Sequence, residues 1–537
     1  MYVYIDIFVS LSINSNTYYM KRRKFIPDIL ETKNISMFLL FVILGAGVIH
    51  AQHMHVGSSG VVSVSAGNAL YVNNNLTVAG AGSLSVKSDS STSGSLLVSG
   101  TATGDITYER NILNTDWYLV SSPVSTQNID NFAKSNNSIG TYLDNYAIAA
   151  YNNILTPGQK WEYYNTTTAP NAGNFISARG YSMNRSESGH YTFEGAMANS
   201  AVSYVVSTSA GTHYWECIGN PFPSFVLGAD GESASLLKNN MDILSEKYVA
   251  LYLWDGNEYK TINLLSAPTY FAPGQAFMVK ANSASETFNF SKNLLSHQNG
   301  DNAFYRSMIP TIELYLSSGD KKISTTLKYT ENGSLGLDPG YDAGAYQDGT
   351  PAFSINTHLV ENSQGLDMTL QCLPNSNFED QIIPVSVNAA AGSNLHFNVD
   401  HSDFPEELHI YLEDVFTNEI VDLKEEDYQV NIQNDLQGIG RFYLYTSQEE
   451  LSIAPEVLSD IGIYSPDNQE LIITGLQGNN LVDLNIYNAV GQIVHSYQFK
   501  AEQKISLTLP PVPAGVYITE LQTDREKHSK KLVISKL

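Results

Sequence analysis

A chain of 537 residues has room for several domains of roughly 100–200 residues, each able to bury its own core. With 54 Asp+Glu against 29 Lys+Arg, the net charge is −25; such a surface repels phosphate backbones and excludes nucleic acid as a partner class. Two cysteines, Cys217 and Cys372, are too few for a disulfide framework and read as small buried hydrophobes. The 33 Tyr and 21 Phe, with Val, Ile and Thr between frequent Gly, Asn and Asp, predict an all-β fold.

Residues 37–49, MFLLFVILGAGVI, form an apolar run of 13, shorter than the about 20 residues a membrane span needs. The cluster Lys21-Arg22-Arg23-Lys24 precedes it, and His50-Ala51-Gln52 follows with small Ala51 at a cleavage position. That order predicts a secretory signal over residues 1–51, with Met20 as the natural start; a retained anchor is the alternative. Residues 1–51 carry five basic and three acidic residues, so the chain beyond them carries −27.

Residues 52–104 are low in charge and nearly repetitive: VVSVSAGNALYV, NLTVAGAGSLSV and GSLLVSG alternate apolar and small polar residues and restart at Gly or Asn. This predicts a short β-solenoid or a meander that stacks on the next part of the chain. Residues 105–305 are richer in aromatics and predict a β-sandwich domain. Trp117–Pro123 and Trp215–Ser224 read as strands ending at Pro turns, and VALYLW and EYKTI flank the hairpin turn Asp255-Gly256-Asn257. Residues 128–136 and 230–247 read as short helices. Residues 306–455 hold seven strand-like segments with turns every 8–15 residues, from TIELYLSS to GRFYLYTS, and predict a second sandwich with a hairpin turn at Asp414–Asn418.

Residues 456–537 predict a small Ig-like sandwich of about six strands, with a hairpin loop at Asn488-Ala489-Val490-Gly491 and a loop through Pro510, Pro511 and Pro513. Three blocks stand in order here: Asn485–Val494, Leu509–Ile518 and Lys530–Ile534. Together they resemble the type A C-terminal sorting domain of the type IX secretion system. The resemblance marks Tyr487, Gly491, Gln492, Gly515, Tyr517, Lys530 and Lys531 as sorting-signal residues. One departure is Tyr464-Ser465-Pro466-Asp467-Asn468, where the family usually opens with an Asn-Pro turn. The resemblance implies a Bacteroidota-like bacterium, the type IX machinery as a partner, and release from the cell or attachment to surface lipopolysaccharide. Gly336–Ala343, Ile383–Val385, Tyr411–Asp414 and Arg441–Leu444 resemble a β-sandwich module common before such sorting domains, and Trp117–Pro123 with Gly219–Ser224 resembles the module preceding it. Neither carries an implied activity.

No G-x-S-x-G elbow, H-E-x-x-H, P-loop or C-x-x-C occurs, so catalytic residues are not expected. His396, His401 and His409 lie at strand spacings and read as surface or satisfied core residues; His53 and His55 fall in an expected flexible tail. Asp338, Asp342 and Asp348, in GLDPGYDAGAYQDG, are candidate calcium ligands, set against a tight turn whose Asp side chains cap local amides. The expectation is therefore a non-catalytic surface or secreted protein of adhesin or envelope type, which meets a glycan or protein ligand outside the cell. The exposed-aromatic candidates are Tyr163 and Tyr164 in WEYYNTTT. A secreted polysaccharide-active hydrolase is one alternative. A carbohydrate-binding accessory protein is another, to be distinguished by a strip of exposed Trp or Tyr.

Overall fold

The computed structural model describes residues 11–13, 16–18, 48–448 and 461–534, apart from 81–83, 136–137, 199, 207–213, 298–308, 377, 380, 418, 465–469, 477–480, 488–492, 510–511, 513–514 and 524–526. The chain forms two compact units, residues 1–245 with 250–306 and residues 246–249 with 307–537. The fold is all-β, as expected. The short helices Ile129–Lys134 and Leu236–Asn240 fall inside the two predicted helical segments.

After a short antiparallel pair, Leu11–Ile13 with Asn16–Tyr18, the first unit runs through nine strands: β1 (Val48–Ala51), β2 (Met54–Val56), β3 (Val62–Val64), β4 (Ala69–Val72), β5 (Leu76–Val78), β6 (Leu84–Lys87), β7 (Ser95–Val98), β8 (Ala102–Thr103) and β9 (Asp105–Ile112). They pair in three parallel stacks, β1-β4-β7, β2-β5-β8 and β3-β6-β9. A meander would pair sequence neighbours antiparallel, so the repeat is a solenoid. Val62 stands beside Leu84 and Ser85 beside Thr107, a spacing of 22 residues in that stack, while Ala69 beside Ser95 and Leu76 beside Ala102 give 26 in the second coil of the other two. Alternation drives this winding: Leu84 and Val86 of β6 are fully buried while Ser85 and Lys87, which alternate with them, face outward. Gly104 joins β8 to β9 at φ +88°, and a Cβ there would meet the Val78 carbonyl oxygen at 1.9 Å.

Two expectations are corrected here. The boundary at 104/105 falls inside a sheet, because β9 pairs with β6 on one side and with Gly189–Ala196, antiparallel, on the other. A few coils leave an open edge of unpaired amides, and the next strand covers it. The expected tail at His53 and His55 is ordered, since Met54–Val56 is β2. The expected cut at Ala51 lies at the end of β1; it would leave β4 as the edge of its stack.

Beyond the solenoid, the first unit continues as a five-stranded sheet (118–121, 180–183, 145–151, 141–142, 161–165), a four-stranded sheet (215–219, 276–280, 251–254, 259–262) and smaller pairings. Phe132, Phe175, Tyr181, Tyr191 and Phe193 interlock edge-to-face and stacked in its core. The hairpin 251–262 forms around residues 255–258, as its Asp-Gly-Asn turn predicts.

In the second unit the seven expected strands lie within one eleven-stranded sheet. The sheet folds over itself: strands 394–402 and 442–447 are far apart in strand order, yet Phe397 and Phe442 meet at 4.8 Å. Ile312, Leu314, Ile410 and Leu412 share the enclosed core. The C-terminal part has a sheet of three strands (462–464, 470–474, 504–508) and one of four (493–500, 481–487, 515–522, 527–534). Leu471, Ile473, Leu484, Ile486, Tyr517 and Leu521 fill one core with residues from both sheets, the small sandwich expected. The loops at 488–491 and 510–511 lie outside the described residues.

Gly104→Ala forces a left-handed residue and a backbone overlap into the solenoid. Strain of that kind costs roughly 1–3 kcal/mol, so the variant melts several degrees below wild type; an unchanged melting curve contradicts the tight β8–β9 turn.

Candidate functional site

The sorting-signal residues gather on one sheet. Strands 481–487, 515–522 and 527–534 are neighbours, with Tyr487 paired to Ile518 and Thr519 to Lys530. Tyr517 is buried in the sandwich core and Lys530 is exposed. Tyr487 is half-buried and donates its hydroxyl to Glu520 at 3.2 Å; Lys527 reaches the same carboxylate at 2.9 Å and holds it below the usual carboxylate range. Gly515 opens the central strand, and Lys531 lies opposite Ile518. Gly491 and Gln492 fall outside the described residues. The outer face of this sheet is an open depression of about 500 Å³ lined by Asp483, Asn485, Ser496, Gln498, Glu520 and Gln522. Cross-strand bonds from Ser496 to Asn485 and from Gln498 to Asp483 fix its polar side chains.

The three candidate calcium ligands do not converge: no group of three or more acidic, His or Cys side chains gathers as a metal site among the described residues. The carboxylates are turned onto the backbone instead. Asp342, fully buried, accepts from the amides of Cys372 at 2.6 Å and Asp338 at 2.7 Å. Asp338 accepts from the Ser334 amide at 2.6 Å and its hydroxyl at 3.0 Å. Asp348 contributes to neither. Asp338 and Asp342 thus have the geometry of the capped turn. Burial still raises the Asp342 carboxyl to about 7, against the pull of its two amide donors.

The segments that resemble secretion-cargo modules are anchored by buried polar clamps. Asp414, 1% exposed, takes a two-pronged contact from Arg441, with Nε at 2.9 Å and Nη2 at 2.7 Å. The Tyr428 hydroxyl adds a donor at 2.8 Å, and the guanidinium lies over Phe416 at 4.9 Å and Phe442 at 5.1 Å. In the first unit Asn220, fully buried, donates to the carbonyls of Ser224, Phe271 and Ala272 and accepts from the Phe222 amide. That set explains an Asn before Pro221-Phe222-Pro223: one amide side chain replaces the ladder that the prolines interrupt.

Glu413 sits beside this clamp on strand 409–414, and burial raises its carboxyl to about 7. The histidines are satisfied locally. His396 meets Asp427 at 2.7 Å, His409 bonds Asp422, and His401 packs near Phe404. A buried pair that the sequence did not single out, His358 with Asp367 at 2.9 Å, closes the loop 358–367.

The first unit also brings exposed aromatics together. Tyr163 is 42% and Trp117 38% exposed, and their rings meet edge-to-face at 5.8 Å. Trp254 donates its indole N–H to the Trp117 carbonyl at 3.1 Å and packs on Tyr259 at 5.1 Å. Tyr164, the other candidate, is half-buried against the core. Trp117 and Trp254 escaped the sequence reading because 137 residues separate them.

Asp414→Ala strands the Arg441 charge and should cost about 3–5 kcal/mol, read by chemical denaturation; a loss below about 1 kcal/mol refutes the clamp. Glu413, raised from its ordinary value of 4.5 to about 7, stabilises the fold below its unfolded pKa and loses that contribution as pH rises through 7. Glu413→Gln therefore gains melting temperature relative to wild type between about pH 5 and pH 8. A difference that stays flat over this range contradicts the buried carboxyl.

Residues 464–535 match the family described as secretion system C-terminal sorting domain. No curated protein matches the chain. The tail makes the chain a type IX secretion cargo, secreted or displayed at the cell surface, whose sorting domain engages that machinery. Among the described residues, no helix is long and apolar enough to cross a membrane. Residues 24–445, most of the chain, match the family described as domain of unknown function (DUF8693), and the chain belongs to that family.

Proposed function

We propose that the chain is a non-catalytic surface or secreted protein of adhesin or envelope type, delivered by its C-terminal sorting domain from a Bacteroidota-like cell. A leader in residues 1–51 takes it across the inner membrane first. Surface lipopolysaccharide is its attachment point if it is retained, and its ligand is a glycan or protein outside the cell.

The observation that carries this reading is the Trp117–Tyr163 pair, two large rings held at solvent on an ordered sheet. Large aromatics normally bury most of their area, and exposed ones on a rigid support suit recognition. The carboxyls whose pKa burial raises do not resemble a hydrolytic pair. Asp342 is tied to two backbone amides, and Glu413 lies on strand 409–414 beside the Asp414–Arg441 clamp. A hydrolase of the two-carboxylate kind needs a facing pair across a cleft.

Intact cells producing the full chain should be labelled by an antibody against residues 105–300, and deletion of residues 461–537 should abolish that labelling while the protein accumulates inside the envelope. Equal labelling of both forms overturns the sorting role. Release of reducing ends from a polysaccharide by the purified protein overturns the non-catalytic part.

A further inference from the structure

We propose that Tyr163, Trp117, Trp254 and Tyr259 form a binding strip for a neutral polysaccharide, with pyranose rings lying against the aromatic side chains. The inference rests on the reading of the chain as an exported binding protein and names the ligand class of its first unit.

The strip is built into two sheets. Tyr163 pairs with Ala149, Ala149 with Ser182 and Ser182 with Leu119, so one row of side chains runs from Tyr163 to the strand that Trp117 precedes. Residues two apart on an extended chain share a face, which sets Trp117 beside this row. Ala149 and Ser182 along this row are small and buried, while Tyr163 and Trp117 at its two ends stay exposed and meet ring to ring. Trp254 and Tyr259 are the last cross-strand pair before the 255–258 turn.

The rings are held before any ligand arrives. Asn114 accepts from the Asp116 amide at 3.0 Å and the Tyr118 hydroxyl at 2.6 Å, and Asn184 donates to the carbonyls of Thr115 and Asp116. Asp255 accepts from the amides of Asn257 at 2.8 Å and Glu258 at 2.9 Å. The indole N–H of Trp254, bound to the Trp117 carbonyl, fixes that ring against the neighbouring loop. Preorganised rings lose little conformational freedom on binding.

The surroundings select the ligand. Asp116 and Asp255 are exposed beside the rings, and the nearby Lys260 is engaged by Glu258 at 2.6 Å. This acidic rim repels uronates, sulfates and phosphates, and agrees in sign with the net charge of −25. Carboxylates and amides exchange hydrogen bonds with sugar hydroxyls, while the electron-rich ring faces attract the positively polarised C–H face of a pyranose. A protein ligand would need a continuous, water-excluded apolar centre. Here charged and amide groups border the rings, which favours a hydroxyl-rich partner.

The purified mature full-length protein is offered insoluble cellulose, chitin and mannan, the acidic polymer polygalacturonate, and surfaces coated with collagen or fibronectin. We expect retention on at least one neutral polysaccharide and a tryptophan fluorescence change with the matching soluble oligosaccharide. Trp117→Ala and Tyr163→Ala should each weaken binding by about tenfold or more, and Tyr163→Phe by no more than about threefold. Melting curves identify any variant that fails to fold, and the remaining one then decides. Binding to neutral polysaccharide that both alanine variants leave intact overturns the strip. Preference for polygalacturonate overturns the charge argument and the neutral class with it. Binding to protein surfaces alone overturns the sugar ligand but leaves the exported binding protein standing. Silence on every probe overturns the inference, while cell-surface labelling still reports separately on export.

Discussion

The first unit depends on strand β9, Asp105–Ile112, because it must satisfy two different ladders at once. Its amides pair with solenoid strand β6 in parallel and with Gly189–Ala196 antiparallel. Ile106, Tyr108 and Ile112 are buried from the same strand, so one alternating segment closes the solenoid and begins the aromatic core beyond it. A solenoid of so few coils cannot bury enough surface alone, and each stack would end in unpaired amides. β9 covers the end of one of the three stacks and joins it to the aromatic core, so the solenoid does not end where its sequence repeat fades.

A second constraint recurs wherever strands are interrupted. Turns rich in Gly, Pro and Asp leave backbone groups without ladder partners, and one buried polar side chain takes them over. Asn220 serves the Pro221–Pro223 turn, Asp342 the 338–342 turn, and the Asp414–Arg441 pair the hairpin at 415–418. Each is sealed from solvent, where unpaired polar groups are expensive. These residues sit in the segments that resemble secretion-cargo modules. The resemblance there thus coincides with the way a β-rich chain stabilises its turns.

The local content of the fold was readable from alternation and turn residues. The 251–262 hairpin, the strands between 308 and 450, the two short helices and the sorting sandwich all arise from patterns within a few residues of one another. What was not readable depends on distant pairings. The parallel register of β3, β6 and β9, the folding-over that brings Phe397 to Phe442, and the meeting of Trp117 with Trp254 all join residues through space. Likewise, three Asp within eleven residues suggest a cation loop, while the amide of Cys372, thirty residues further on, captures one of them. Tyr163 was visible as a candidate, but its exposure depends on the strand edge it occupies.

Delivery and the proposed recognition fall to different parts of the chain, the sorting sandwich at residues 461–534 and the exposed aromatics of the first unit. Export underlies both, since a binding face for external ligands has no use inside the cell. The most direct measurement is to fractionate native cells and sequence both ends of the mature protein. The account predicts a product outside the cell or on its surface that begins downstream of the apolar run at 37–49 and lacks the C-terminal sorting sandwich. An uncut chain in the cytoplasm would contradict it.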